Sequence, residues 1–331
     1  MNKWETPRSK RRLSACKRTN TFLPVIGLIL MIVCFQALLG LIQNRRAWAD
    51  KTWTGRLIME EAFNRHELFP YVFEKQTMIL MDDEGNRDVR LVRRFSRVEK
   101  DKTVKYLLVF DNPAEIRGVA LLAVRHHSSR REVGIYLPAL GKKLKFKSGD
   151  NGSSHFLGTD FAIGDLTKEM LSDFRYIRAA DQKIDKIVYF VVEAFPKNEK
   201  IEQNTGYSLR RHFIRHDNFF IVRTDYFDRL KRFSKRQTRH DLKKVDGDMW
   251  RADMILMENS KERHKTLIKI NQRVFSRDYT PPEVFTTAWL LENRHVQDVE
   301  KQLFQSVTGA PNKKTDEHPD VPQKKNPARQ E

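Results

Sequence analysis

Short apolar segments separated by polar turns recur from Tyr71 to Arg273, and this recurrence limits the possible folds more than any other feature of the chain. Segments of this kind, following one another about every 8–15 residues with little helix between them, are typical of an antiparallel meander. We therefore expect a mainly β protein, built as a curved antiparallel sheet or an incomplete β-barrel with a few helices. The predicted strands are Tyr71–Met81, Arg87–Val98, Thr103–Phe110, Gly118–Arg125, Glu132–Leu137, Lys142–Lys147, Phe174–Ala179, Lys186–Phe195, Tyr207–Arg215, Asn218–Phe227, Leu230–Arg236, Met249–Glu258 and Thr266–Arg273.

Several of these strands are apolar at consecutive positions, notably Tyr106–Phe110, Ile187–Val192 and Phe219–Val222. A strand with one face in water alternates apolar and polar residues, so these strands are expected to be buried on both faces. One face of a curved sheet can pack on helices while the other lines an apolar cavity. The alternative is that both faces belong to an ordinary core.

Three segments are predicted to be helical. Lys51–Glu67 has apolar residues at helical spacing, and Asp165 can act as the N-cap of a short helix. Thr280 and Glu283 form a capping box with proline at the first helical position. The helix that follows has an apolar stripe of Val284, Phe285, Ala288, Trp289 and Leu291.

The N-terminus has the pattern of an export signal. A basic segment precedes an uncharged run from Phe22 to Ile42, which is long enough to cross a bilayer roughly 30 Å thick. Ala47-Trp48-Ala49 resembles a processing site, so cleavage before Asp50 and a retained anchor are both open. In either case the positive charge before the run predicts a periplasmic body. We divide the chain into a signal peptide or anchor at 1–49, a β domain at 50–295 and a disordered charged tail at 296–331.

The formal net charge of +19 suits an anionic membrane surface, an acidic protein or a nucleic acid. The export signal argues against nucleic acid. The basic runs 140–147 and 229–239 alternate charged and apolar residues, which is typical of solvated strand faces and also of a membrane-docking surface.

Catalytic chemistry has no recognisable sequence signature here. Both cysteines, Cys16 and Cys34, precede Asp50, and no serine-hydrolase elbow, zincin helix or nucleotide-binding loop is present. His126 and His127 lie in a basic loop, and the four-residue separation of His212 and His216 in a strand is too long for one metal. We expect neither an enzyme nor a bound cofactor or metal.

Two turn-rich signatures lie close together in the middle of the chain. The first runs from Asp111-Asn112-Pro113 to Arg117-Gly118, and the second joins Leu137-Pro138 to Gly158-Thr159-Asp160-Phe161 and Asp165. Their order resembles the LolA-like family of periplasmic proteins, which includes outer membrane lipoprotein-sorting proteins. The resemblance covers about Trp53 to Asn293. It implies that the motif residues are structural, namely Asp111, Pro113, Arg117, Gly118, Leu137, Pro138, Gly158, Asp160, Phe161 and Asp165.

The same resemblance implies a lipid or lipoprotein carrier that holds acyl chains in a cavity and works with an inner-membrane exporter of the RND type. The residues that we predict to line the cavity are Leu108, Phe110, Leu121, Tyr136, Tyr189, Val191, Phe220 and Val222. The alternative function is a membrane-anchored envelope sensor that recognises lipidated ligands.

Overall fold

The computed structural model describes residues 53–66, 69–126, 131–140, 143–148, 155–166 and 170–296. The chain divides into two compact units, Met1–Trp53 and Thr54–Glu331, and every element below belongs to the second. The strands are β1 Tyr71–Met81, β2 Arg87–Val98, β3 Val104–Asn112, β4 Ala120–Arg125, β5 Arg131–Leu137, β6 Lys143–Ser148, β7 Phe174–Ile184, β8 Ile187–Pro196, β9 Tyr207–Arg215, β10 Ile221–Asp228, β11 Phe233–Asp246, β12 Met249–Asn259 and β13 His264–Val274.

All thirteen strands form one antiparallel sheet in the order β6-β5-β4-β3-β2-β1-β13-β12-β11-β10-β9-β8-β7. Sequence neighbours pair with each other except β6 and β7, and the pairing of β1 with β13 joins the first and last strands. Strands β6 and β7 are therefore the two edges of a curved sheet that does not close into a barrel. This confirms the predicted mainly β fold class.

The sheet is buried on both faces at β3, as predicted, whereas in the predicted segment Ile187–Val192 the side chain of Val188 is 38% exposed. Along β3, Tyr106, Leu108 and Phe110 pack in one core cluster, whereas Leu107 and Val109 pack in another. Since side chains alternate along a strand, the two clusters lie on opposite faces. We call the face of Leu108 the inner face, because residues of β3 and β9, which are seven strands apart in the sheet, line one cavity there.

Helix α1 (Gly55–His66) packs on the sheet through its buried residues Ile58, Met59 and Ala62, against β7, β8 and β12. The helix begins in close contact with an edge strand. A Cβ atom on Gly55 would lie 2.8 Å from the backbone of Ile177 and Arg178 in β7. Only glycine permits this approach of the two backbones.

The outer face is covered by the C-terminal segment. A 3-10 turn at Pro282–Phe285 and helix α4 (Thr287–Leu291) bury Val284, Phe285, Trp289 and Leu290 against the outer cluster. The predicted single helix with a capping box at Thr280 is wrong. The Thr280 hydroxyl donates to the Ser276 carbonyl, and the N-cap of α4 is Thr286, whose extended backbone separates the two helical turns.

Two further local predictions need correction. Asp165 lies inside helix α2 (Ile163–Leu166) and does not cap its start; its carboxylate accepts from the Ala162 amide. Strand β11 continues ten residues past the predicted end at Arg236, because it pairs with β12 in a long hairpin as far as Asp246. Helix α3 (Glu199–Thr205), which Asn198 caps, was not predicted.

The predicted leader, the processing site at Ala49 and residues 297–331 of the predicted tail lie outside the described residues. Within the part of the chain that the structure describes, no helix is both long and apolar enough to span a membrane.

We expect Trp289→Ala to lower the free energy of unfolding by about 3–5 kcal/mol, because this side chain is 6% exposed within the outer cluster. The neighbouring Leu291 is 39% exposed, so Leu291→Ala is a control that should cost under about 1 kcal/mol. Denaturant unfolding of both variants checks this. Equal losses of stability would contradict a fixed position for this segment.

Candidate functional site

A cavity of about 340 Å³ lies on the inner face of the sheet. Its walls come from α1, from the 161–166 segment and from strands at distant positions in the sheet, which the curvature brings together. The volume is at the lower end of the range of roughly 300–1,000 Å³ for ligand pockets.

Part of the wall is apolar. Its residues come from α1 and from strands β1, β2, β3, β12 and β13, and they are Met59, Ala62, Phe63, Val72, Val98, Tyr106, Leu108, Ile255, Ile268 and Ile270. Phe161 of the second motif and Phe220 before β10 extend this surface. Such a wall can shield a hydrocarbon chain from water.

The rest of the wall is polar and carries several charges. Glu74 of β1 accepts from Arg94 at 3.0 Å and from Arg273 at 2.6 Å, and its other neighbour Gln76 donates to it at 2.7 Å. Burial alone would raise the pKa of Glu74, but the two guanidinium groups lower it from 4.5 to about 2. Glu74 is therefore ionised at neutral pH.

Three more arginines line the cavity. Arg210 lies over the rings of Phe174, Tyr207 and Tyr226, at 5.1–5.7 Å. Arg239 donates to the Ile221 carbonyl at 3.0 Å, and Arg251 donates to the His66 carbonyl. All three residues contribute to the cavity wall.

The second motif anchors the 155–166 segment to the inner face. The ammonium group of Lys235 donates to the Asp165 carboxylate and to the Asp160 carbonyl, each at 2.8 Å, and both side chains are almost fully buried. The Tyr207 hydroxyl also donates to Asp165, at 2.9 Å. Burial and the adjacent Asp165 charge raise the pKa of Tyr207.

Asp160 makes a second anchor beside the first. Its carboxylate accepts from the Thr266 hydroxyl and contacts His264 Nδ1, each at 2.7 Å. Phe161 is buried in the inner cluster, and Gly158 has a φ of +74°. That these residues have a structural role, as the family resemblance implies, stays a prediction.

The first motif fixes the other face. Arg93 donates to both oxygens of Asp111, at 2.8 and 2.7 Å, and also to the His295 carbonyl at 2.7 Å. His295 is fully buried, and burial lowers its pKa. The neutral ring contacts the Gly118 carbonyl through Nε2 at 2.8 Å, so Nε2 carries the proton.

The remaining residues of the first motif shape the β3–β4 connection. Pro113 follows a cis peptide bond, Arg117 donates to the Asp111 carbonyl at 3.2 Å, and Gly118 has a φ of +79°. In the second motif, Leu137 packs against the inner cluster, and Pro138 begins a 3-10 turn after β5.

The eight residues predicted to line the cavity are in different places. Leu108 and Phe220 line it, whereas Phe110 and Leu121 lie deeper in the inner cluster. Tyr136 belongs to the outer cluster. Val191 is buried, and Tyr189 and Val222 are half-buried, but these three are not in the cavity wall. Which of the eight contact a ligand stays a prediction.

Sequence reasoning did not find the polar half of the cavity. It interpreted the basic run 229–239 as solvated strand faces or as a docking surface, yet Lys235 is 2% exposed and Arg239 lines the cavity. The sequence did contain a sign of this polar wall, because polar residues two positions apart, such as Glu74 and Gln76 or Arg210 and His212, lie on the same strand face. Among the described residues, no cluster of His, Cys, Asp and Glu could hold a metal ion.

Replacing Gly158 by valine should cost about 1 kcal/mol or more of stability, because a β-branched residue tolerates positive φ poorly. A Cβ atom there meets no atom within 4 Å, so crowding does not contribute. Gly158→Asn is the control, since asparagine adopts this backbone region more readily. Thermal melting of both variants checks this. An unchanged melting temperature in Gly158→Val, with ligand binding abolished, would indicate a direct binding role.

We expect Glu74→Gln to cost about 3 kcal/mol at pH 7, because Glu74 is buried and its loss leaves two half-buried arginines without their shared carboxylate, although Arg273 keeps Asp253. The folded pKa of Glu74 lies below its ordinary value, so its contribution is complete above pH 4.5 and is lost towards pH 2. The difference in unfolding free energy between the variant and the original protein should shrink over that range.

The surface pair Arg56–Glu60 provides the control, because Glu60→Gln removes an exposed carboxylate and should change stability by under about 1 kcal/mol. Chemical denaturation at pH 7, 4 and 2.5 tests both variants. A pH-independent difference for Glu74→Gln would contradict the assigned ionisation.

Three solved structures have the same fold as this chain. A structure described as an outer membrane lipoprotein-sorting protein domain, from Vibrio parahaemolyticus, is 26% identical and aligns with a TM-score of 0.66, covering 72% of this chain and 98% of that one. A DUF1329 family protein from Desulfovibrio piger is 21% identical with a TM-score of 0.63, over 71% of this chain and 100% of that one. A LolA superfamily protein from Nitrosomonas europaea is 17% identical with a TM-score of 0.58, over 72% of this chain and 100% of that one.

No curated protein sequence matches the chain. The model of a family that carries the description "Uncharacterized protein" matches residues 102–292, which is more than half of the chain. The matched region includes both turn-rich signatures and most of the curved sheet. The chain therefore belongs to this family, and its fold is that of the LolA-like proteins.

Proposed function

We propose that this protein is a periplasmic carrier that binds the hydrocarbon chain of a lipid or lipoprotein in its inner-face cavity. The observation that carries the proposal is the apolar wall formed by α1 and strands from distant positions of the curved sheet. The name of the Vibrio parahaemolyticus relative, which refers to lipoprotein sorting, supports the same class of cargo.

The cavity has a size that suits one chain. Each buried methylene contributes roughly 0.8 kcal/mol, so about ten of them contribute roughly 8 kcal/mol before the cost of association. A micromolar dissociation constant corresponds to a net free energy of about 8 kcal/mol, so more than about ten methylenes must be buried once the cost of association is included. A carrier needs affinity of this order, because it must retain its cargo in water and still release it.

The N-terminal basic segment and the apolar run 22–42 support the location in the periplasm. An inner-membrane exporter of the RND type and the membrane surface are the partners that we propose from the family resemblance. No described contact bears on the exporter.

A membrane-anchored sensor of lipidated ligands is the second candidate, and the length of the uncharged run 22–42 favours it. The two functions differ in the fate of the leader. N-terminal sequencing of the mature protein distinguishes them, because a shuttle requires release before Asp50 whereas an anchored sensor retains Met1.

We expect the purified protein to bind a fluorescent fatty-acid probe saturably, with micromolar or tighter affinity. Ala62 is 2% exposed and lines the cavity from α1, so Ala62→Phe should fill part of the space and weaken binding at least about tenfold. Asn64 lies on the exposed side of the same helix, and Asn64→Phe should leave the affinity unchanged. Probe fluorescence titrations measure all three proteins.

Circular dichroism confirms that the three samples are folded before titration. The absence of saturable binding in the folded original protein would contradict a carrier function. Equal weakening by Ala62→Phe and Asn64→Phe would show that the probe binds outside the cavity.

A further inference from the structure

The turn between β10 and β11 carries the most exposed large apolar side chain in the described part of the protein. Leu230 is 70% exposed, whereas the other exposed large apolar side chains there are 36–46% exposed. Phe233, at the start of β11, is one of these. We call the segment Asp228–Phe233 the hairpin tip. A single exposed leucine has no meaning by itself, so its surroundings decide whether it has a role.

Asp228 holds the hairpin tip in one shape. Its carboxylate accepts from the backbone amides of Leu230 and Arg232, each at 2.9 Å. It also accepts from the Arg232 guanidinium group at 3.0 Å and from the ammonium group of Lys261 in the β12–β13 turn. The hydrogen bond from Lys261 is the main reason why the pKa of Asp228 lies well below its ordinary value. A turn that is fixed in this way presents Leu230 with little loss of conformational freedom on binding.

The hairpin tip is also basic. Asp228 is its only carboxylate residue, and Arg232 and Lys261 already bond to that carboxylate. Arg229 and Lys231, on either side of Leu230, are exposed. Neither of their side chains has an ion-pair partner among the described residues. Two cations without a described partner therefore flank the exposed leucine.

An aromatic pair lies at the base of the hairpin tip. Phe227 and Phe233 face each other across the hairpin, and their ring centroids are 6.0 Å apart. The guanidinium group of Arg211 lies 5.2 Å from the centre of the Phe227 ring. That of Arg236 lies 5.4 Å from the centre of the Phe233 ring. Phe233 thus adds a second exposed apolar side chain with a cation beside it.

This combination fits a bilayer surface better than a protein partner. A stable protein interface buries about 800 Å² on each side, which is more than a single turn supplies. A second copy of the chain would bring the same cations together, and like charges repel. In a bilayer, the boundary between head groups and acyl chains accepts leucine and phenylalanine, and anionic phospholipids attract the lysine and arginine residues beside them.

We propose that the hairpin tip docks on a membrane surface that contains anionic phospholipid. Leu230 enters the boundary between head groups and acyl chains, and Arg229 and Lys231 contact lipid phosphates. The proposal rests on the membrane partner proposed above, to which it assigns a site, and it is independent of the cavity. Docking through one leucine and two cations is weak. A weak contact lets a carrier leave the membrane again.

Flotation of the purified protein with lipid vesicles tests the docking. Vesicles that contain phosphatidylglycerol should bind the protein at least about tenfold more tightly than vesicles of phosphatidylcholine alone, and added salt should weaken this binding. Leu230→Ser should weaken binding to the anionic vesicles about tenfold, because serine gains little from leaving water. All proteins compared have the same N-terminus, so the ratio of their affinities reports on the hairpin tip.

The double variant Arg229→Gln with Lys231→Gln tests the cations. It should weaken binding to the anionic vesicles about twentyfold and leave binding to phosphatidylcholine unchanged. The matched control is Lys100→Gln with Lys102→Gln, which removes two exposed lysines from the β2–β3 turn. Lys102 has a φ of 65°, close to the 60° of Lys231. The control should change the affinity by under about twofold.

The control turn lies far from the hairpin tip. The ion pair of Arg263 with Asp83 places the β1–β2 turn beside the β12–β13 turn, and Lys261 of that second turn bonds to the hairpin tip. Strand β2 leads away from this end of the sheet along its whole length, and the β2–β3 turn follows it. The control therefore removes the same charge from the opposite end of the sheet.

Leu230→Trp reports on the position of the hairpin tip in the bilayer. Tryptophan favours the membrane–water boundary, so this variant should keep its affinity for anionic vesicles. Its fluorescence emission should shift to shorter wavelength on binding, by more than that of the original protein. Circular dichroism first confirms that every variant is folded.

Three results would overturn the docking. The first is equal affinity for the two kinds of vesicle, or no binding to either. The second is an equal loss of affinity in the hairpin-tip and control variants. The third is an unchanged emission of Leu230→Trp in the vesicle-bound sample, because the hairpin tip would then stay in water. Each of these leaves the carrier function standing, since titration with the fatty-acid probe tests that function separately.

Discussion

The buried ion pair between Lys235 and Asp165 is the interaction on which the arrangement of the inner face depends. The sheet has free edges at β6 and β7, and the connection between them contains the 155–166 segment. Lys235 and the neighbouring Asp160 contacts hold this segment on β11 and β13, where Phe161 completes the inner cluster. A buried ion pair adds little stability over an apolar pair, but removing one partner is costly. Its value here is that it fixes one position for the segment.

The two turn-rich signatures have complementary roles in this design. The second one fixes a wall of the cavity on the inner face, and the first ties the β3–β4 connection to the C-terminal segment through Arg93 and His295. Strand β3 lies between the two layers, buried on both sides. The inner face can therefore keep an open cavity because the outer face supplies a packed core.

The sequence was sufficient to predict the strands but not their environment. All thirteen strands were predicted, three of them, Tyr71–Met81, Arg87–Val98 and Tyr207–Arg215, with the observed bounds, because alternating residues and turn formers act locally. Alternation shows which residues share a face, but not which face is inside a curved sheet. The burial of Lys235 and the place of Arg239 in the cavity wall were therefore not predicted. The Thr280 capping box failed for a different reason, since the Thr280 hydroxyl bonds back to Ser276 and it is Thr286 that caps the following helix.

The central claim is that the inner-face cavity holds one lipid chain. Native mass spectrometry of protein purified from a periplasm without added lipid, followed by analysis of its organic extract, tests this most directly. The account predicts a bound species of lipid mass in a ratio of about one per protein chain, with an acyl chain that the cavity can cover. Folded protein that carries no lipid, and that takes up none when incubated with total membrane lipid, would contradict it.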